Sequence, residues 1–387
     1  MVNGISAAIG LVAVLSGLGG SAHAATPSAS DIENKTAAIE RVLQGEMTAR
    51  GIPGAQISIV QRGKVVFTGA YGQANVEAAT PVTKQTVFGI NSISKAVTGV
   101  AAMQLVEAGK LDLDRPAVTY VDSLPESWKE VTVRQLLTHT SGLPEIVDDN
   151  VRAIDGAEPA AAWAKVQELP LNFPPGTRFS YTQTNYVLMG KVIEKITGRS
   201  FSDFVRERQF NVAGMKQTGF AQPAGTQPQV ASLYTYMTLL MKGMKTVGVE
   251  RSKDLLPRQE VMLEYVYPTG GVQSTSTDLA EWVLALQKLK LVSKGSLEQL
   301  SKPLTLKDGT SRGFNASVNA YGLGWPSMQR PAHPAITLIG GERAAVFIYP
   351  EDDLSIIVLT NLMGAAPQKF IDKIAAIYIP GLNVENK

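Results

Sequence analysis

The sequence predicts an α/β (α+β) fold in which an antiparallel sheet is flanked by helices and an all-α region is inserted. Short β-prone runs lie near both ends of the chain, helix-like segments fill the middle third, and no internal repeat or low-complexity tract interrupts the pattern. Strands at both ends with helices between them imply one sheet assembled from the two chain termini. The expected boundaries are 25–110 together with 265–387 for the mixed α/β domain, and 111–264 for a mainly helical one.

Taken in order, residues 5–18, from Ile5 to Leu18, are apolar or small, and Ala22-His23-Ala24 forms an A-x-A cleavage signal. Residues 1–24 therefore read as an export signal, although Met1-Val2-Asn3-Gly4 lacks the usual Lys or Arg. The apolar stretch is too short to span a bilayer comfortably and no other segment is longer, so no stable membrane span is expected in the mature chain. That chain begins near Ala25 and is expected to be periplasmic or secreted. Ala55–Gln61 and Lys64–Ala70, separated by Arg62-Gly63, read as a hairpin. A strand or loop through Phe88 then hands over at Ser92 to a helix, because Val97, Val100, Ala101 and Leu105 recur at helical spacing until Gly109.

Further helix-like segments follow at 131–138, 160–168, 185–197 and 202–210, punctuated by Pro144, Pro174-Pro175-Gly176 and Gly198. The Gln-Pro-rich and Lys-rich segment 222–257 reads as a variable loop or lid. Ser274 to Asp278 supplies a run of N-cap residues before an amphipathic helix through Trp282, Val283 and Leu286. Beyond it, β-prone runs at 321–326, 335–339, 344–349 and 354–360 precede a last helix at about 366–378.

Composition narrows the chemistry. The 387 residues include no Cys and three His, so there is no thiol nucleophile, no disulfide framework and no Cys-ligated metal. Three histidines nearly exclude a His-rich metal cluster and leave few candidates for the base of a Ser-His-Asp triad. No metal or organic cofactor is implied. The 36 Lys+Arg and 34 Asp+Glu give a net charge of +2 without long like-charge runs, so nucleic acid is not an expected partner. The chain also lacks H-E-x-x-H, Walker A and Rossmann glycine motifs in its mature part.

Ser92-Ile93-Ser94-Lys95 is the one S-x-x-K sequence in the chain. A serine at the first turn of a helix lies near free N–H groups and the positive end of the dipole, which favours a developing oxyanion. Residues i and i+3 share a helical face, so Lys95 can reach Ser92 Oγ. Partly desolvated there, the lysine could lose its proton near neutral pH and activate the serine. A serine cap followed by a solvated lysine is the competing reading of this motif alone.

The surroundings add a family resemblance. Phe88 to Lys95, Val131 to Pro144, Pro175-Gly176-Thr177-Arg178-Phe179-Ser180-Tyr181, Gly214 to Phe220, Gly270 to Thr275, Tyr321-Gly322-Leu323-Gly324-Trp325 and Leu359-Thr360-Asn361 together resemble the penicillin-recognising serine hydrolases. Within these, the chain looks most like the group of class C β-lactamases, D-Ala-D-Ala carboxypeptidases and related esterases. The resemblance implies a β-lactamase/transpeptidase-like fold, with Ser92 as the acylated nucleophile and Lys95 as its proton partner. It places Tyr181 at the tyrosine of a Y-x-N motif, as a proton shuttle; a packed aromatic with a satisfied hydroxyl is the plainer alternative. Gln183 stands where that motif has Asn, and keeps the amide with one more methylene.

Leu338-Ile339-Gly340-Gly341 matches the strand that carries Lys-Thr-Gly or His-x-Gly in the family. The N–H groups of Ser92 and Gly341 would then form the oxyanion hole, and Gln183, Leu338 and Gly340 would contact substrate. Leu338 replaces the cation that attracts the carboxylate of β-lactams and D-Ala-D-Ala peptides, which argues for a neutral ester or amide. Arg343 reads as a solvated edge-strand arginine, His139 as a hydrogen-bonded scaffold residue, and His333, preceding Pro334, as a loop histidine. The expectation is an exported serine hydrolase, an esterase or amidase on a small-molecule or peptide substrate. A β-lactamase or D-Ala-D-Ala carboxypeptidase is the alternative, and a catalytically weakened binding or regulatory protein the further one.

Overall fold

A computed structural model of the chain describes residues 29–148, 152–156, 158–222, 229–382 and 384. The expected export signal at 1–24 lies outside the described residues. Helix α1 (Ala29–Arg50) buries Ile39 and Leu43 and leads into strand β1 (Gly54–Gln61). Arg62 and Gly63 both take positive φ, which closes a tight hairpin onto β2 (Lys64–Asn75), as their spacing predicts. The two-residue strands β3 (Thr80–Pro81) and β4 (Phe88–Gly89) precede α2 (Ser94–Glu107). Helix α2 is buried from Ser94 to Leu105 and so runs through the core.

The middle of the chain carries α3 (Val133–Leu137), α4 (Pro159–Gln167), α5 (Gln183–Thr197), α6 (Phe201–Val205), a π turn at 206–210 and α7 (Asn211–Ala213). Helix α3 starts with a capping box: Gln135 N donates to Thr132 Oγ1, and Thr132 N donates to Gln135 Oε1. Helix α5 stops at Gly198, whose φ of 67° suits a left-handed cap.

After β5 (Gly219–Phe220), the segment expected to be a loop or lid is instead ordered as a hairpin, β6 (Leu233–Lys242) and β7 (Lys245–Arg258). Residues 223–228 of that segment lie outside the described residues. The Leu233-Tyr234-Thr235-Tyr236 and Thr246-Val247-Gly248-Val249 runs have strand propensity that the neighbouring lysines mask in the sequence. The hairpin is rooted by Tyr234, which is buried and receives the N–H of Val76 at its hydroxyl.

Next come α8 (Tyr267–Gly270), β8 (Val272–Ser274), α9 (Ser276–Gln287) and α10 (Lys294–Ser301). The chain then forms β9 (Ala320–Tyr321), β10 (Pro326–Met328), β11 (Ala335–Gly340), β12 (Ala344–Tyr349), β13 (Leu354–Thr360) and α11 (Ile371–Ala375). The expected run 321–326 is two short strands, because Gly324 takes a φ of 85° and turns the chain between them.

Eight strands form one antiparallel sheet in the order β3-β2-β1-β13-β12-β11-β10-β9, so the two ends of the chain do share a sheet. Strands β12 and β13 are buried on both faces, which accounts for their unbroken apolar runs. Alternation divides them. Ile356, Val358, Ala345 and Phe347 join Ile39, Leu43, Ile371 and Ile374 in one core cluster. Ile357, Leu359, Ala344 and Val346 join Val97, Val100, Leu279 and Trp282 in the other. A separate small sheet, β4-β8-β5, sits beside the start of α2. Thr132→Ala removes one half of the α3 capping box and should lower unfolding stability by about 1 kcal/mol in chemical denaturation.

Candidate active site

Two hydrogen bonds and one left-handed residue fix the Ser92 corner. Ile90 N donates to Val272 O at 3.1 Å, and Val272 N donates to Ser94 Oγ at 3.0 Å. Asn91 turns the chain with a φ of 44°, a left-handed value that Asn tolerates better than most residues. Ser92 then lies in a 3-10 turn, Asn91–Ile93, that runs directly into α2. The sequence reading placed the serine at a helix start, and the structure does so.

Lys95 follows one turn later and is fully buried. Its Nζ donates to Gln183 Oε1 and to Thr269 O, both at 2.7 Å, and lies 3.4 Å from Ser92 Oγ. Burial pulls its pKa down to about 7, with the charge of Glu145 acting in the opposite sense. A neutral amine has two N–H bonds and one lone pair. The two short contacts are to acceptors without protons to give, so the lone pair is left facing Ser92 Oγ.

Tyr181 approaches Ser92 from the other side, its hydroxyl donating to Oγ at 2.8 Å. Its ring lies 4.7 Å from Lys95 Nζ, 4.2 Å from the His139 ring and 5.3 Å from that of Phe314, centroid to centroid for the aromatic pairs. Burial pushes the phenol's pKa up, so Tyr181 rests as a proton donor. His139 is buried beneath it, and its Nδ1 accepts from Thr182 N at 3.2 Å and Asn185 Nδ2 at 3.0 Å. Burial, then the charge of Lys95, hold it well below the usual imidazole range, so it is a neutral scaffold residue.

Gln183 begins α5, and its longer side chain still delivers Oε1 to Lys95. Its N–H donates to both oxygens of Glu145, at 3.1 and 3.0 Å. Sequence reasoning missed Glu145. The available signal was a single carboxylate inside the apolar run Leu143-Pro144-Glu145-Ile146-Val147.

The end of β11 completes the corner. A Cβ on Gly340 would lie 1.9 Å from Ile90 O, so only glycine lets the strand come this close to the nucleophile turn. Gly341 and Glu342 both have positive φ, and Arg343 N donates to Gly340 O at 3.0 Å, which makes a two-residue type I′ turn from β11 to β12. Gly341 therefore packs against the Asn91 side chain, next to Ser92. Leu338 is buried, and with Ser92, Tyr181, Phe314, Tyr321 and Ile339 it lines a cleft of about 230 Å3, open mouth included.

One peripheral expectation changes. Arg343 is not a solvated edge arginine: it is 4% exposed and its guanidinium is paired with Glu260, which also accepts from Asn91 Nδ2 at 3.1 Å. The tight turn tucks Arg343 inward beside Gly89 instead of leaving it on a free edge. His333 pairs with Asp352 at 2.9 Å at the far end of β11, roughly 20 Å along the strand from Gly341. Among the described residues no group of three or more His, Asp or Glu is placed to hold a metal ion, and no helix is long and apolar enough to cross a membrane.

This fold corresponds to that of known proteins. The model of the Beta-lactamase family matches residues 39–378, and the chain belongs to that family, within a superfamily of serine hydrolases. It is similar to Protein flp of Staphylococcus aureus (strain N315), 24% identical over 353 residues, covering 86% of this chain and 64% of flp. The chain thus spans a little under two thirds of that relative's length. A Beta-lactamase of Yersinia enterocolitica is 26% identical over 298 residues, 76% of this chain and 70% of its own.

Among solved structures, the octameric penicillin-binding protein homologue from Pyrococcus abyssi aligns with a TM-score of 0.72 and 27% identity, covering 88% of this chain and 77% of that one. The penicillin binding protein from Bacillus halodurans aligns with a TM-score of 0.68 and 25% identity, over 87% of this chain and 99% of that one. Gly340→Ala should force β11 off the Ile90 carbonyl, lowering the thermal midpoint by several degrees and slowing serine labelling by a fluorophosphonate at least about tenfold.

Proposed function

We propose that the protein is an exported serine hydrolase that cleaves a neutral ester or amide through an acyl-enzyme on Ser92. The supporting observation is the geometry at Ser92 Oγ, which faces the Lys95 amine at 3.4 Å and the Tyr181 hydroxyl at 2.8 Å. In the first step Lys95, as the neutral amine, takes the Ser92 proton while Oγ bonds to the substrate carbonyl carbon. The carbonyl oxygen becomes an oxyanion facing the N–H groups of Ser92 and Gly341. The tetrahedral species then expels the alcohol or amine, which receives the Tyr181 proton, and the Lys95 ammonium returns a proton to Tyr181. Water repeats the sequence on the acyl-enzyme: its proton passes to the Lys95–Tyr181 pair, and Ser92 leaves with one.

Preference for a neutral substrate rests on the cleft. Its lining carries no Lys or Arg, Leu338 stands on its wall, and the guanidinium of Arg343 is already paired with Glu260. A substrate carboxylate placed there would lose water without gaining a partner. Hydrolysis of a β-lactam is the second reading, favoured by the name of the Yersinia relative. Export is supported by the A-x-A signal at 22–24, and N-terminal sequencing of the extracytoplasmic fraction should start near Ala25.

Intact mass after fluorophosphonate treatment should show one adduct, on Ser92, absent from Ser92→Ala. An unlabelled Ser92 in folded protein, with no turnover of a short p-nitrophenyl ester, would defeat the hydrolase reading. Labelling should rise with pH through about 7 as Lys95 loses its proton. It should fall at least about a hundredfold in Lys95→Ala. On the substrate question, kcat/KM for p-nitrophenyl acetate should exceed that for nitrocefin by more than about tenfold, and the reverse order would establish the second reading.

A further inference from the structure

Glu145 is a buried carboxylate that the reaction as written leaves unused. It accepts from Gln183 N at 3.1 and 3.0 Å and from its neighbour Ile146 N at 2.9 Å. These partners are donors, a pattern that suits an ionised carboxylate. No Lys or Arg forms an ion pair with it among the described residues. It stands immediately behind Gln183, whose side chain holds the buried Lys95 amine at 2.7 Å. One residue thus connects a buried anion, through its backbone N–H, to a buried amine, through its side-chain oxygen.

The other titratable groups that act on this pair are uncharged near neutral pH. Tyr181 and Tyr186 present their rings to Lys95 at 4.7 and 5.5 Å, and burial keeps both as phenols. Tyr265, on the Glu145 side, and Tyr321, beside Tyr186, are pushed up in the same sense. His139 is held neutral by burial and by Lys95. Among these groups, Lys95 and Glu145 are the two whose charges act on each other, in a site where little water screens one from the other.

We propose that Glu145 is a positioning residue for the acylation step: its carboxylate seats Gln183 against the Lys95 amine and balances the ammonium that forms when Ser92 gives up its proton. The inference rests on the Ser92 acylation proposed above. Two consequences run in opposite directions. A negative charge beside Lys95 favours its protonated form, so Glu145 opposes burial and moves the acid limb of the pH profile upward. The same charge stabilises the ammonium created in the transition state, so Glu145 also raises the rate above that limb. On balance burial pushes the Glu145 pKa up, while the N–H of Gln183, the hydroxyl of Thr182 and the N–H groups of Ile146 and Val147 act in the opposite sense.

The test is the rate of fluorophosphonate labelling of Ser92 against pH, in wild type, Glu145→Gln and Glu145→Met, with thermal melting at each pH to confirm folding. Both variants should shift the acid limb downward by about one pH unit and lower the plateau rate by about three- to tenfold. Structural damage would lower the plateau without moving the limb. A limb that stays in place in a folded variant, or moves upward, overturns the proposal.

Should neither variant fold, carboxyl 13C NMR of glutamate-labelled wild type decides: Glu145 should be an anion at pH 8, and a neutral acid there overturns the inference. Absence of labelling in wild type at every pH removes the hydrolase reading and this inference together. Normal labelling with unchanged pH dependence in the variants removes this inference alone.

Discussion

The site is organised by the burial of one lysine. An ammonium removed from water would be very costly without compensation, and here the compensation is a pair of neutral oxygens, Gln183 Oε1 and Thr269 O, with no carboxylate in direct contact. Each comes from a different part of the chain: Thr269 from α8, packed along α2, and Gln183 from the head of α5. Seating Lys95 therefore requires α2, α5 and α8 to dock together. Thr98 extends the same joint, its hydroxyl donating to Pro268 O at 2.8 Å. The amine that faces Ser92 is also the knot that ties three helices.

The aromatic packing around His139 follows from that knot. Tyr181 must lie flat beside Lys95 and still reach Ser92, so its ring needs a firm floor. The floor is His139 with Tyr186 and Tyr321, at 5.1 and 5.2 Å from the imidazole, respectively. His139 takes a positive φ and receives N–H bonds from the start of α5, so the ring is fixed from both sides. A histidine in a serine hydrolase invites a triad reading. This one has no contact with Ser92 among the hydrogen bonds of the site, and its neutrality serves to avoid a second positive charge beside Lys95.

Much of this was legible in the sequence. The strand runs at both ends gave the sheet, because β12 and β13 are apolar on both faces and cannot be mistaken for solvated loops. The S-x-x-K spacing put Ser92 and Lys95 on one helical face, and the resemblance decided against a solvated lysine there. Tyr181, Gln183 and the Gly340-Gly341 pair came only through resemblance, because nothing local in those segments points across the fold to Ser92.

Other features were not legible. Glu145 looks like any loop carboxylate until α5 is placed over it. Arg343 is decided by a turn that buries it against Gly89, and the β6–β7 hairpin by pairing between two stretches that separately read as polar loop.

The type I′ turn between β11 and β12 has a consequence for how such a site can diversify. A connection of two residues has no slack, and β12 is wholly interior, so the N–H of Gly341 inherits the rigidity of the sheet's centre. That wall of the cleft cannot be reshaped by loop insertion without uncoupling two core strands. The opposite wall carries Phe314, which is 44% exposed on an irregular segment outside any strand or helix. Change in the shape of the cleft is thereby channelled to one side: the Ser92 corner is anchored in the sheet, and variation is left to the part of the chain that can change without disturbing it.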